Sequence, residues 1–235
     1  IIRGLSMSGF YNDRFSKVQE EFERNLSERG DIGASFACTI DGEFVIDLWG
    51  GYKDVDKSQP WEEDTICNVY STSKTMTFIS ALVLADRGEL DLHAPVAKYW
   101  PEFGVNGKKN IRVSQILCHA AGLPGMSRVF ELEEMYDWDS VCDDLAAQSP
   151  WWEPGTQSGY HATTQGFLIG EIIRRITGQS MGNFFRENVA EPMQADFHIG
   201  MDPSVFPRVS DLHPDPASGG GGLLQTDPDT MAGRV

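Results

Sequence analysis

Positive charge is scarce in this sequence. Its 235 residues carry 19 Lys and Arg against 35 Asp and Glu, a formal net charge of −16. Attraction to a nucleic-acid backbone or to an anionic membrane surface is therefore disfavoured. The acids are scattered and form no long run, which marks them as a solvated face and leaves neutral or cationic partners open. Cysteine is scarce too. Cys38, Cys67, Cys118 and Cys142 show no C-x-x-C spacing, and their apolar or helical surroundings predict buried free thiols in place of a disulfide or zinc framework. A reducing, cytoplasmic compartment is the expectation. No apolar run reaches membrane-spanning length, and the opening residues lack the basic-then-apolar order of a signal peptide. Metal-ligand spacing is missing as well. His119 and His161 form no H-E-x-x-H or H-x-x-x-H pair, so each reads as a hydrogen-bonded structural residue, with a base or ligand role as the alternative.

What is present is globular: 40% hydrophobic and 11% aromatic residues, in a chain long enough for a sizeable core. Phe15, Val18, Phe22 and Leu26 recur at helical spacing, predicting an amphipathic helix over Asp13 to Arg29 that ends at Gly30. Ala34 to Ile40 and Glu43 to Trp49 read as strands joined by Asp41-Gly42, a pair that tolerates the positive φ of a two-residue hairpin turn. Thr65 to Val69 reads as a third strand. It leads into a helix apolar almost all round, from Phe78 through Ala85, which belongs inside a protein and stops at Gly88. Strands are then scarce. An extended link covers Leu90 to Pro101, and helices are predicted over Val113 to His119, Leu132 to Ala147, Ala162 to Thr177, and from a Ser180 cap through Phe185. The order is a small sheet over residues 1–70 followed by a mostly helical lobe over 71–235. Three strands are a thin base for so many helices, so the expectation is either a fragment or C-terminal strands that come from elsewhere.

Ser71 and Lys74 form an S-x-x-K. Residues three apart at a helix start lie one turn apart on the same face, so a hydroxyl and an amine share one space. A serine is a weak nucleophile until its proton is taken, and a lysine takes it only where burial or a neighbouring cation lowers its pKa. Gly178 to Gly182 matches G-x-S-x-G, yet that elbow needs a strand before its serine, and here a helix precedes Ser180. Ser180 therefore reads as an N-cap. The Ser218 to Gly222 run lacks the G-K-[ST] of a phosphate loop and reads as a turn. Tyr160 stands just before a helix entrance. Near Lys74 its phenol would lose a proton more easily, because the cation favours phenolate; otherwise it is a buried ring with a bonded hydroxyl.

Four segments in order carry a family resemblance: S-T-S-K at Ser71 to Lys74, L-C-H-A-A-G-L-P at Leu117 to Pro124, W-E-P-G-T with Y-H-A at Trp152 to Ala162, and G-G-G-L-L-Q-T at Gly220 to Thr226. Together they resemble the serine β-lactamase-like superfamily, closest to the branch that joins class C β-lactamases and family VIII carboxylesterases. The resemblance implies an α/β (α+β) fold of the β-lactamase/transpeptidase type, an antiparallel sheet flanked by helices, with residues 1–235 a partial catalytic domain. It makes Ser71 the nucleophile of an acyl-enzyme and Lys74 and Tyr160 the pair that moves its proton. The Ser71 N–H, at a helix start, would be one of two oxyanion donors. No metal or organic cofactor is implied.

Two departures shape the expected activity. Class C lactamases carry Y-x-N at the second motif, where this chain has Ala162, which favours ester over lactam cleavage. The family's third motif, K-T-G or W-G-G on a late strand, does not occur before Val235. The expected function is a carboxylesterase acting on short-chain or small aromatic esters, with acyl transfer as a side reaction. A β-lactamase or D-Ala-D-Ala carboxypeptidase and a non-catalytic ligand-binding relative are the alternatives. The expected partner is a small-molecule ester; oligomeric state is not legible.

Overall fold

The computed structural model describes residues 7–213. These fall into two compact units, residues 7–68 with 201–213, and residues 69–200.

The first unit is built on a three-stranded antiparallel sheet. Strand β1 (Met7–Tyr11) is followed by helix α1 (Ser16–Glu28), β2 (Gly33–Ile40) and β3 (Glu43–Gly51), and the strand order is β1-β3-β2. The hairpin forms as its turn residues require: Ile40 pairs with Glu43, and Asp41 and Gly42 take φ of 52° and 84°. Central strand β3 turns Ile46 and Leu48 inward, where they pack with Phe22 and Leu26 of α1. The sequence pattern misassigns the third strand. Thr65 to Val69 makes only an isolated parallel bridge, Ile66 to Val209, and Met7–Tyr11 takes the sheet edge instead. Ser8 and Gly9 mask β1 because neither has strand propensity. Gly9 is there for space, since a Cβ on it would lie 1.9 Å from the Asp47 carbonyl oxygen.

The second unit is helical: α2 (Ser73–Asp86), α3 (Val113–Leu117), α4 (Trp138–Ala147), α5 (Thr164–Thr177), α6 (Met181–Phe185) and the short α7 (Glu191–Met193). Helix α5 is its axis. Leu168, Ile169, Ile172 and Ile173 have no exposed surface, and α2, α3, α4 and α6 all pack against it. Gly170 lets the Trp138 ring come close, where a Cβ would meet it at 2.6 Å, and Gly178 ends the helix in the left-handed conformation (φ 73°). The helix expected over Leu132 to Ala147 is shorter. Asp137 leaves helical geometry (ψ 90°) to accept the Ser140 N–H, so a single 3-10 turn precedes a capped α4.

Two burial expectations are corrected. Helix α2 is not sheathed all round: Ala81 and Leu84 are fully buried, but Phe78 and Leu82, one turn apart on the other face, are each 41% exposed. All four cysteines are free, yet only Cys142 is buried, while Cys67 and Cys118 are exposed. The apolar residues that precede them, Ile66 and Leu117, are the partly covered ones. No helix among the described residues is long and apolar enough to cross a membrane.

Candidate active site

The second unit brings together side chains that lie 89 residues apart in the chain. Tyr70 takes a left-handed φ of 45°, a bend that non-glycine residues adopt only under constraint. It swings the chain into a 3-10 turn, Tyr70–Thr72, that runs directly into α2. Ser71 therefore stands at the entrance of a 14-residue helix, where the helix dipole favours negative charge. One turn on, the half-buried Lys74 points its amine back, and Nζ donates to Ser71 Oγ at 3.4 Å and to the Ala162 carbonyl at 2.6 Å.

Tyr160 arrives from the segment before α5. Its hydroxyl donates to Ser71 Oγ at 2.6 Å, and the Lys74 amine lies 5.0 Å from its ring centre. The hydrogen bond with Ser71, and then the Lys74 ammonium, hold the Tyr160 phenol below the usual tyrosine range. The three candidate residues thus share one cluster: two hydroxyls in contact and an amine beside both. Such a cluster can shuttle a proton away from one oxygen while leaving it free to attack carbon.

The loop carrying Tyr160 is sewn to the segment before it. Thr164 Oγ1 donates to the Leu123 carbonyl at 2.6 Å, and Gln165 Nε2 to those of Ile116 and Leu117 at 3.4 and 3.1 Å. The Gly155 N–H donates to the Ala120 carbonyl at 2.8 Å. Fully buried His161 is the structural residue its spacing suggests. Its Nε2 accepts the Leu123 N–H at 3.2 Å and its Nδ1–H donates to the Gly159 carbonyl at 2.6 Å. Burial pushes its pKa down to about 4, so the ring is neutral near pH 7. The rival serine is elsewhere. Ser180 Oγ accepts the Asn183 N–H at 3.2 Å, capping α6, with α5 and not a strand before it. The Ser218 to Gly222 run and the Gly220 to Thr226 segment lie outside the described residues.

Sequence reasoning missed the Ala162 carbonyl and the place of His119. A carbonyl has no side-chain signature, and His119 is one of five histidines in the sequence, none in a ligand-spaced pair. Its only sequence signal was its position in the L-C-H-A-A-G-L-P segment.

Comparison with known proteins follows the same lines. A profile described as Beta-lactamase matches residues 20–233. The chain is 37% identical over 211 residues to Esterase/beta-lactamase LipL of Mycobacterium tuberculosis, covering 89% of this chain and 49% of that one. It superposes on the crystal structure of a family VIII carboxylesterase with a TM-score of 0.84 at 44% identity, over 88% of this chain and 57% of that one. A penicillin-binding protein homolog from Caulobacter crescentus gives a TM-score of 0.85 at 40% identity, over 90% and 57% of the two chains. The chain spans about half the length of the curated relatives it matches. A profile match over most of its length, with a helical unit and an antiparallel sheet of the β-lactamase/transpeptidase type, makes this chain a member of the beta-lactamase family.

Proposed function

We propose that this chain carries the acyl-transfer centre of a serine hydrolase, a carboxylesterase acting on short-chain or small aromatic esters. The observation that carries the reading is the contact of Ser71 Oγ with Tyr160 Oη at 2.6 Å, with Lys74 Nζ 3.4 Å from the same oxygen. Ser71 Oγ attacks the ester carbonyl carbon while its proton passes to the Tyr160–Lys74 pair. That proton goes to the departing alcohol as the C–O bond breaks. Water then attacks the acyl-serine, its proton takes the same route back to Ser71, and the free acid leaves. An alcohol in place of water gives acyl transfer. The Ser71 N–H at the start of α2 is suited to donate to the oxyanion, with the helix dipole behind it. The names of LipL and the family VIII carboxylesterase support the ester class, and four free thiols support a reducing, cytoplasmic setting.

Covalent labelling of the full-length protein with a fluorophosphonate tests the assignment. Ser71→Ala is expected to abolish labelling and Lys74→Ala to slow it strongly. Labelling that survives Ser71→Ala and disappears in Ser180→Ala would overturn the assignment.

A β-lactamase reading is favoured by one observation, the double name of LipL. Against it stands the methyl group of Ala162 at the position where class C lactamases carry an asparagine amide. The Lys74 contact at this position is with the backbone carbonyl, so the substitution leaves the proton-moving pair intact and alters only what a lactam's amide substituent would meet. Turnover of nitrocefin as fast as p-nitrophenyl acetate would reverse the order of the two readings.

A further inference from the structure

We infer that His119 is a positioning residue of this centre, and that only its neutral imidazole holds Tyr160 against Ser71. The inference rests on the reading of Ser71, Lys74 and Tyr160 proposed above. Tyr160 is 49% exposed, so packing alone does not hold it. Its two peptide neighbours are held instead, and by the same residue. The Gly159 N–H donates to the His119 carbonyl at 3.0 Å, where Ser158 Oγ also donates at 3.4 Å. On the other side of Tyr160, the His161 N–H donates to His119 Nδ1 at 3.1 Å. The His119 ring stands 4.8 Å from the Tyr160 ring and 5.5 Å from that of His161. His119 itself takes a left-handed φ of 63°, which aims its carbonyl and ring at one loop.

The contact with His161 specifies a protonation state. Nδ1 accepts an N–H only while it is unprotonated, so the neutral ring carries its hydrogen on Nε2. A proton on Nδ1 would set N–H against N–H and release one side of Tyr160. The titratable groups that face the ring are Lys74 from α2 and Tyr160 and His161 from the segment before α5. Cys118, its neighbour in sequence, turns its thiol to the Gln115 carbonyl. The charged Lys74 thus makes a second cation here unfavourable. Burial first, and then Lys74, hold the His119 imidazole below the usual histidine range. Acidification is therefore expected to disable the site by a step separate from protonation of the Tyr160–Lys74 pair.

The test is the rate of Ser71 labelling by a fluorophosphonate in the full-length protein, followed from about pH 4 to pH 8.5, from below the ordinary histidine range to above it. In wild type the logarithm of the rate should steepen by one further proton at the acid end. Two variants separate the causes. Both asparagine and glycine accept a left-handed φ, but only asparagine offers an acceptor to the His161 N–H, one that takes up no proton. His119→Gly should label about 10- to 100-fold more slowly at the upper end of the range, as expected for a misplaced proton carrier. His119→Asn should recover most of that rate and lose the extra acid step. If His119→Gly fails to fold, the wild-type and His119→Asn profiles decide alone. Superimposable profiles for those two proteins, with wild-type Ser71 labelling intact, overturn the role of His119 and leave the proposed function standing. No labelling of wild-type Ser71 at any pH removes both.

Discussion

Tyr160 Oη does for Ser71 what no other side-chain oxygen among the described contacts does: it touches Oγ, at 2.6 Å. Removing that oxygen separates chemistry from stability. Tyr160→Phe keeps the ring that faces Lys74 and His119 and deletes only the hydroxyl. Loss of the proposed proton carrier is expected to lower kcat/KM for p-nitrophenyl acetate about 100- to 10,000-fold. Because the side chain is half exposed, Tm should move by less than about 2 °C, read by calorimetry. A parallel collapse of Tm would return Tyr160 to a packing role. The neighbouring Gly159 is held by space. A Cβ there would come within 2.4 Å of the Trp152 ring, and that indole is tied to the Gln157 carbonyl. Gly159→Ala is expected to cost about 1 to 3 kcal/mol through overcrowding, measured as a lower urea midpoint, and to slow Ser71 labelling because the loop that moves carries Tyr160.

At the scale of elements, two helix entrances carry a serine and differ in what precedes them. Ser71 sits in a 3-10 turn after the strained Tyr70 and leaves its hydroxyl for Tyr160 and Lys74. Ser180 follows the left-handed end of α5 and gives its hydroxyl to the Asn183 N–H. Its expected contribution is that of a cap. Ser180→Ala should cost about 0.5 to 2 kcal/mol in thermal or urea unfolding and leave the rate of Ser71 labelling unchanged. Helix α5 links the site to the core: its first turn holds Thr164 and Gln165 on the carbonyls of Leu123, Ile116 and Leu117, and its apolar middle fills the second unit.

At the scale of the whole molecule, acid is the expected weakness. His161, fully buried, must stay neutral to accept the Leu123 N–H. Its pKa is about 4 in the fold against an ordinary 6.5. The unfolded chain therefore binds the proton first, and the stability held above about pH 6.5 is lost as pH falls toward 4, about 3 kcal/mol in all. Glu171, 1% exposed, continues the trend. Burial alone would raise its carboxyl pKa, but hydrogen bonds from Arg174, Trp138 and Arg175 outweigh it and hold the group below the usual carboxylate range. Its contribution is present above the ordinary carboxylate pKa and lost as pH falls through the folded value. Urea midpoints measured from pH 7 to 4 should fall throughout. A flat profile would contradict the neutral buried imidazole. At neutral pH, Glu171→Gln should cost about 1 to 3 kcal/mol, since Trp138 and two partly exposed arginines lose a charged hydrogen-bond partner. The outer pairs, Arg174 with Asp139 and Arg175 with Glu102, end on acids that are 73% and 65% exposed and add little.

Local chemistry was legible in the residues. Asp41-Gly42 specifies its turn because positive φ is a property of those residues. The stripe of α5, the cap at Ser180 and the one-turn spacing of Ser71 and Lys74 follow from helical geometry. The family resemblance assigned Tyr160 to the same centre. Three matters waited for the tertiary structure. Met7–Tyr11 becomes a strand because β3 offers an edge and Gly9 lets the backbones approach, which no propensity reports. Phe78 and Leu82 show that an apolar run does not state which of its faces is covered. The contacts around Tyr160 are the clearest case. The Ala162 carbonyl on Lys74, and the paired grip of His119 on Gly159 and His161, each join a backbone group to a distant segment, so the chain had to fold before any of them could exist.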